Sequence, residues 1–255
     1  QLQHIKNSEY RIFKMTRVLT LYKNAFGGLS QAAWILALVM LINRSGSMVV
    51  PFLSVYLTAS LGFDLEQAGI LLSLFGVGSI AGAFIGGWLT DKIGHFLVQF
   101  ISLVGGGTLF FFVANLTEFL PLCIGIFSVS AVSEMLRPAN SSSVAYYAKP
   151  ENVTRAFSLN RMAINLGYSF GPAVGGILAT FSYNLLFVVD GITCISAGVL
   201  FFFYFKKKKG NEQKEDENKV TSQRTERLAI YAFRSVGAVI CHSVLSIVHD
   251  PSAVL

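Results

Sequence analysis

The feature that most constrains this chain is a series of six long apolar stretches separated by short polar or charged segments, at about 30–58, 67–90, 96–114, 119–147, 162–181 and 184–205. A helix needs roughly 20 residues to cross a bilayer, so these stretches have the required length. Charged residues make up only 13% of the chain, against roughly 25% in ordinary soluble proteins. The segments lack the alternating pattern of a membrane barrel, and lipid-exposed irregular backbone is too costly. The sequence therefore predicts an all-α integral membrane protein with six transmembrane helices.

Among the segments that flank the stretches, basic residues occur before the first stretch, in alternate connections and after the sixth stretch. They include Lys6, Arg11, Lys14, Arg17, Lys23, Lys92, Lys149, Arg155, Arg161 and the four lysines at 206–209. The remaining connections carry Asp64, Glu66 and Glu118 instead. Because lysine and arginine mark the cytoplasmic side, we expect a multi-pass protein of the plasma (inner) membrane with both termini in the cytoplasm. The net charge of +6 is explained by this pattern, and no nucleic-acid partner is expected.

The pattern divides the chain into four segments. They are a basic cytoplasmic N-terminus at 1–29, a six-span domain at 30–205, a disordered charged loop at 206–227 and a short tail at 228–255. The tail has an apolar run at 235–248, which is too short to span a bilayer. We expect this tail to be non-native sequence of the kind that a truncated or frameshifted reading frame produces.

The two halves of the six-span domain resemble each other. Gly78, Gly82 and Gly86 of the second stretch recur as Gly167, Gly171 and Gly175 of the fifth, 89 residues later. Arg44 in the first stretch and Glu134 in the fourth are 90 residues apart. Three helices per copy invert the second copy in the membrane, and such three-plus-three repeats build many secondary transporters. Glycine at every fourth residue also lets two helices pack closely, and this simpler interpretation stays open.

Two motifs make the chain resemble the major facilitator superfamily, in particular its drug:proton antiporter branch. Segment 87–95 reads G-W-L-T-D-K-I-G-H and is similar to the family signature G-x-L-x-D-R-x-G-R-R. Segment 167–176 reads G-Y-S-F-G-P-A-V-G-G and matches the antiporter motif G-x-x-x-G-P-x-x-G-G at every fixed position. Arg137 resembles the arginine that the family embeds in its fourth helix. The resemblance covers about residues 30–206, which look like the N-terminal six-helix half of such a transporter.

The resemblance implies roles for both motifs. Gly87, Asp91, Lys92 and Gly94 would belong to a conformational latch on the cytoplasmic face. The fifth-helix residues would serve the antiporter motif and helix packing, and they are Gly167, Gly171, Pro172, Gly175 and Gly176. The implied partners are the lipid bilayer, protons, an unidentified small-molecule substrate, and a second six-helix half or another copy of the chain.

Ionisable groups within a span usually face a cavity or a partner, because their burial in lipid is costly. Arg44, Glu134 and Arg137 fall near mid-span at compatible depths, and Glu134 and Arg137 share a helix face. One hypothesis makes Glu134 the proton-coupling acid, with the arginines tuning its ionisation or contacting substrate. The other makes the cluster a structural ion pair between the first and fourth helices. Both stay open for Glu134.

Several further residues have two interpretations each. Asp190 is either a second proton site or an interfacial polar group that water reaches. Asn165, Tyr168, Tyr146 and Tyr147 could line a cavity, although tyrosines near the end of a span often anchor it at the interface. Pro138 and Pro172 can kink the fourth and fifth helices.

No cofactor, metal site or enzymatic activity is expected. The cysteines are far apart, the histidines form no metal-binding pattern, and there is no nucleophile–base constellation. The leading hypothesis is a secondary active transporter, engaged in proton-coupled multidrug efflux and present here as an N-terminal half. The alternative is a non-transporting membrane fragment that only associates with another half.

Overall fold

The computed structural model describes residues 27–206, and this part of the chain contains six helices long and apolar enough to cross a membrane. They are α1 at Gln31–Ser60, α2 at Leu65–Ile93, α3 at His95–Val113, α4 at Phe119–Tyr147, α5 at Val153–Ala179 and α6 at Asn184–Lys206. No strand occurs in residues 27–206. The prediction of an all-α membrane protein with six spans is confirmed. Residues 1–26 and 207–255 lie outside the described part, and with them most of the predicted N-terminal segment and nearly all of the predicted loop and tail.

Helix α5 begins earlier than the sequence predicts. It starts at Val153, directly after a short 3-10 turn at Pro150–Asn152, and not at 162. The added turns carry Arg155 and Arg161, whose charge excludes them from an apolar window. Their other face is apolar and buried, with Ala156 and Leu159 inside the bundle. The helix therefore extends beyond its apolar stretch because one of its faces packs on the protein.

Helices α1 and α4 are interrupted at equivalent places. The first part of α1 ends at Ser45, and its second part starts at Val49. In α4 the helix breaks at Met135, one residue after Glu134. A proline follows each break, Pro51 in α1 and Pro138 in α4, and a proline ring clashes with the carbonyl four residues earlier. Pro172, by contrast, does not interrupt α5, so only one of the two predicted kinks takes the form of a break.

The glycine row of α2 lies against α4. A Cβ at Gly78 would lie 2.7 Å from the carbonyl oxygen of Phe127, and a Cβ at Gly82 would overlap the backbone of Ala131. Both helix axes therefore approach more closely than any larger residue allows.

The equivalent glycine row of α5 lies against α1. A Cβ at Gly167 would lie 2.7 Å from Cβ of Arg44, and one at Gly171 would lie 3.0 Å from the carbonyl oxygen of Ser47. Helix α2 of the first repeat therefore packs on α4 of the second, and α5 of the second packs on α1 of the first. Because α5 corresponds to α2 and α1 to α4, two copies of one three-helix unit produce this reciprocal packing.

The main apolar core lies in the half of the bundle that contains the second part of α1. Its buried residues come from five helices, and the largest fully buried ones include Leu53, Leu57, Leu71 and Leu122. A smaller cluster of Ala37, Leu159 and Ala163 joins α1 to α5 in the other half. The polar groups described below lie around the breaks of α1 and α4.

Two connections are short and well capped. Gly94 alone separates α2 from α3, and its φ of 86° lies in the left-handed region that favours glycine. At the other end of α2, the Asp64 side chain accepts a hydrogen bond from the N–H of Gln67 at 2.7 Å. The Gln67 side chain accepts in turn from the N–H of Asp64, completing a capping box.

Candidate functional site

The breaks of α1 and α4 bring three charged side chains together. Nη1 of Arg44 lies 4.0 Å from Oε1 of Glu134, and Nε of Arg137 contacts Oε2 of the same carboxylate. The side chains of Arg44 and Glu134 are each 10% exposed, whereas that of Arg137 is 61% exposed. Glu134 therefore links a buried arginine to one on the surface of the bundle.

Arg44 makes two further interactions that fix its position. Its guanidinium carbon lies 5.3 Å from the centre of the Tyr168 ring on α5, a cation–π arrangement. Its Nε is buried and has no hydrogen-bond partner among residues 27–206. The backbone of Arg44 also lies against Gly167, so α5 holds this segment of α1 in place.

A cavity of about 50 Å³ adjoins Arg44 and Glu134. Its polar wall consists of Asn43, Arg44, Ser47, Ser102, Ser133, Glu134, Asp190 and Cys194. The Ser133 hydroxyl is buried with no hydrogen-bond partner in the described residues. A cavity of this size has room for a few water molecules, and unsatisfied polar atoms are the groups that hold them. Residues 27–206 contain no group of three or more His, Cys, Asp or Glu side chains that could bind a metal ion.

Asp190 lies on the wall of this cavity and is only 4% exposed. One carboxylate oxygen accepts a hydrogen bond from the backbone N–H of Val49 at 3.4 Å. Asp190 is therefore buried inside the bundle beside a cavity with room for water, and both interpretations of its role stay predictions. Helix α6 packs on α1 at this level, where the side chain of Thr193 fills the place that a Cβ at Gly46 would take.

The other predicted cavity residues lie elsewhere. Asn165 lines an open groove along the exposed face of α5, together with Ser158, Arg161 and Ser169. Tyr168 is 41% exposed beside Arg44. Tyr147 is 7% exposed, which does not fit an interface anchor, while Tyr146 is 60% exposed. The rings of both tyrosines lie against His95, with centroids 5.6 Å and 4.9 Å away.

The residues of the predicted latch lie at the end of α2. Asp91, Lys92 and Gly94 are exposed, and Nζ of Lys92 stands 4.1 Å above the ring of Trp88. Gly87 has open space where a Cβ would be. The segment is therefore accessible for contact with another part of the protein.

Sequence reasoning missed four residues that shape this site. Pro51 interrupts α1, and its signal was a proline within an apolar stretch. Asn43 donates to the sulfur of Cys194 at 3.2 Å, and the Ser102 hydroxyl donates to the carbonyl of Val132 at 2.7 Å. These polar residues are single small side chains, and no spacing in the sequence distinguishes them from others in the spans.

Comparison with known proteins identifies the family. The sequence model of the Major Facilitator Superfamily matches residues 24–249. The chain belongs to the major facilitator superfamily. The expectation from the two motifs is thereby confirmed, and so is the expectation that the chain is not an enzyme, because this is a family of transporters.

Two bacterial members of the superfamily are similar to the chain along much of its length. The uncharacterized MFS-type transporter YttB of Bacillus subtilis is 32% identical over 170 residues, which cover 64% of this chain and 41% of YttB. The quinolone resistance protein NorA of Staphylococcus aureus is 26% identical over 170 residues, which cover 64% of this chain and 42% of NorA. The chain thus spans about two fifths of the length of the curated relatives that it matches.

One solved structure has the same fold as this chain. It is the peptide transporter POT in complex with sulfate, with a TM-score of 0.63 and 22% sequence identity. The match covers 90% of this chain and 48% of the POT chain. The six helices therefore correspond to about half of a complete transporter fold.

Proposed function

We propose that the chain is the N-terminal six-helix half of a secondary active transporter that exports small molecules in exchange for protons. The observation that carries the proposal is the buried carboxylate of Glu134, which lies between two arginines at the breaks of α1 and α4 and beside a polar cavity. An ionisable group in a span is costly unless it has such a setting. Membership in the superfamily and the antiporter motif of α5 support export as the direction of transport.

Glu134 couples proton binding to helix movement in this proposal. The ionised carboxylate attracts Arg44 of α1 and Arg137 of its own helix α4. Protonation removes that charge and leaves two positive charges near each other, which repel. Helices α1 and α4 then separate at their breaks, where the backbone already lacks regular helical bonding. Substrate and proton thereby compete for the same cluster, which is the requirement for exchange.

The proposal places both termini and the latch segment around Asp91 in the cytoplasm, with the protein in the plasma (inner) membrane. A second six-helix half, or another copy of this chain, completes the substrate cavity. The exposed polar face of α5, with Arg161, Asn165 and Ser169, lies at the surface of the half and lines that cavity. The name of NorA supports quinolones and other amphipathic drugs as the first substrates to test.

The test reconstitutes the chain in vesicles, alone and together with the other half of YttB on a second chain. Uptake of a quinolone is driven by an imposed pH gradient, and binding is measured separately. We expect the paired chains to transport and Glu134→Gln to abolish transport while binding persists. Glu118→Gln, which changes an exposed carboxylate at the start of α4, is the matched control. Unimpaired pH-driven transport by Glu134→Gln would remove Glu134 from the coupling step.

The alternative function, a fragment that only associates with another half, predicts a different result. Such a chain binds the second half in detergent but moves no quinolone, whether alone or paired. The fraction of each relative that the chain covers is the observation that favours it. Transport by the paired chains supports the first function, and binding without transport by the paired chains supports the second.

A further inference from the structure

The break in α1 is bridged by α6 on both sides. Before the break, the Asn43 side chain donates a hydrogen bond to the sulfur of Cys194. After it, the N–H of Val49 donates to the carboxylate of Asp190 at 3.4 Å. Only the second bridge reaches the outer segment of α1, which we define as residues 49–60.

At the repeat-related break in α4, the backbone just before the break is held by a different chemical group. Ser102 of α3 donates its hydroxyl to the carbonyls of Val132 and Ser133, at 2.7 and 3.2 Å. Ser102 and Asp190 are 88 residues apart, so they occupy nearly equivalent positions in the two repeats. One repeat thus holds the backbone beside its break with a hydroxyl that stays neutral, and the other with an acid.

Asp190 is buried without a cation of its own. No lysine or arginine nitrogen of residues 27–206 lies within 4.0 Å of its carboxylate. The ionisable groups that face it are Arg44 on α1, Glu134 on α4 and the Cys194 thiol on α6, while α3 contributes only Ser102 and Phe110 to the cavity wall. Glu134 already holds Arg44 and Arg137. Of the two buried acids in residues 27–206, Asp190 is therefore the one without a direct ion pair.

We infer that Asp190 is a proton-controlled tether of the outer segment of α1. In the ionised form its carboxylate accepts a charge-assisted hydrogen bond from the first amide of that segment, the N–H of Val49. Protonation weakens this bond and removes the attraction to Arg44. The bridge between Asn43 and Cys194 remains, so the outer segment moves about the break while the first part of α1 stays on α6. The device acts on one repeat only, because Ser102 does not titrate.

The test measures distances in the full chain in lipid, from mildly alkaline to mildly acidic pH. Spin labels are placed on Ser54→Cys of the outer segment and Phe181→Cys of the α5–α6 connection, after Cys123, Cys194 and Cys241 are changed to serine. Serine at 194 keeps an acceptor for Asn43. The control pair, Glu66→Cys and Thr117→Cys, reports on α2 and the α3–α4 connection. All four labelled positions are exposed.

We expect acid to shift the distance between the first pair by about 2 Å or more, the scale of helix shifts in switching proteins, and to leave the control pair unchanged. Asp190→Asn should show the acidic distance at every pH, and Glu151→Gln, which changes an exposed carboxylate away from the cavity, should keep the pH-dependent shift. A shift that persists in Asp190→Asn, that disappears in Glu151→Gln, or that is absent from the parent chain would overturn the inference. If Asp190→Asn does not fold, the midpoint must move in Asp190→Glu and stay in Glu151→Asp. The measurement needs no transport, so its outcome does not depend on whether the paired chains transport.

Discussion

Arg44 and Glu134 occupy equivalent positions in the two repeats and face each other, with Nη1 and Oε1 4.0 Å apart. Residues related by an inverted repeat approach each other only near the axis that relates the copies. The axis of this six-helix unit therefore passes close to an ion pair whose two members have opposite charge. Each of these residues also lies at the end of the segment before the break of its helix, Glu134 as the last residue and Arg44 as the last but one.

This relationship predicts strong energetic coupling between the two residues. If the cluster is a structural ion pair, Glu134→Gln leaves two arginines without a carboxylate and lowers stability on the order of 3–5 kcal/mol, as for a broken buried pair, whereas the coupling role predicts that folding and substrate binding persist. The double variant Arg44→Gln/Glu134→Gln should recover part of that loss, because it removes a charge together with its partner. The measurement is thermal or denaturant unfolding of the purified chain in detergent. Strictly additive effects of the two substitutions would show that the residues do not interact.

The close approach of α2 to α4 predicts sensitivity to side-chain size at one glycine and not at another. Gly82→Leu should destabilise the protein by about 1–3 kcal/mol or more, because its Cβ meets the backbone of Ala131. Gly76→Leu on the same helix is the matched control, since nothing lies within 4 Å of a Cβ there. Yield and thermal stability in detergent measure both. Equal behaviour of the two variants would contradict the packing of α2 on α4.

The hydroxyl bridge at the α4 break predicts a smaller effect. Ser102→Ala removes the donor that satisfies the carbonyls of Val132 and Ser133, and we expect a loss of about 1 kcal/mol. Thr108→Ala is the control on the same helix, because that exposed hydroxyl only bonds the carbonyl of Val104 within its own turn. Unfolding in detergent should separate the two variants. A larger loss for Thr108→Ala would show that the bridge adds no stability.

The charge pattern predicts the orientation in the membrane. In a cysteine-free background, Asp64→Cys and Glu118→Cys should react with an impermeant thiol reagent applied to intact cells, because we place both connections outside. Glu151→Cys, at the start of α5, should react only after the membrane is opened. All three positions are exposed, so differences in labelling report the side and not burial. Labelling of Glu151→Cys in intact cells would reverse the topology.

The sequence by itself determined the helices, the repeat and the family. Six apolar stretches exclude other architectures, because a membrane admits little besides helices of sufficient length, and glycines at a fixed spacing carry the repeat. It also placed Arg44, Glu134 and Arg137 at compatible depths, since depth follows from counting residues along a helix. It could not extend α5 back to Val153, because those turns are amphipathic and their helical state depends on burial of Ala156 and Leu159.

Only the tertiary structure decided which groups share a cavity. Asp190 lies in the sixth helix and Val49 in the first, and their contact depends on how closely Gly46 lets α6 approach α1. The sequence leaves Asp190 as either a second proton site or an interfacial group, because distance along a helix axis says nothing about the direction in which a side chain points. Burial, and with it the cost of keeping a charge, is a property of the neighbours that packing supplies.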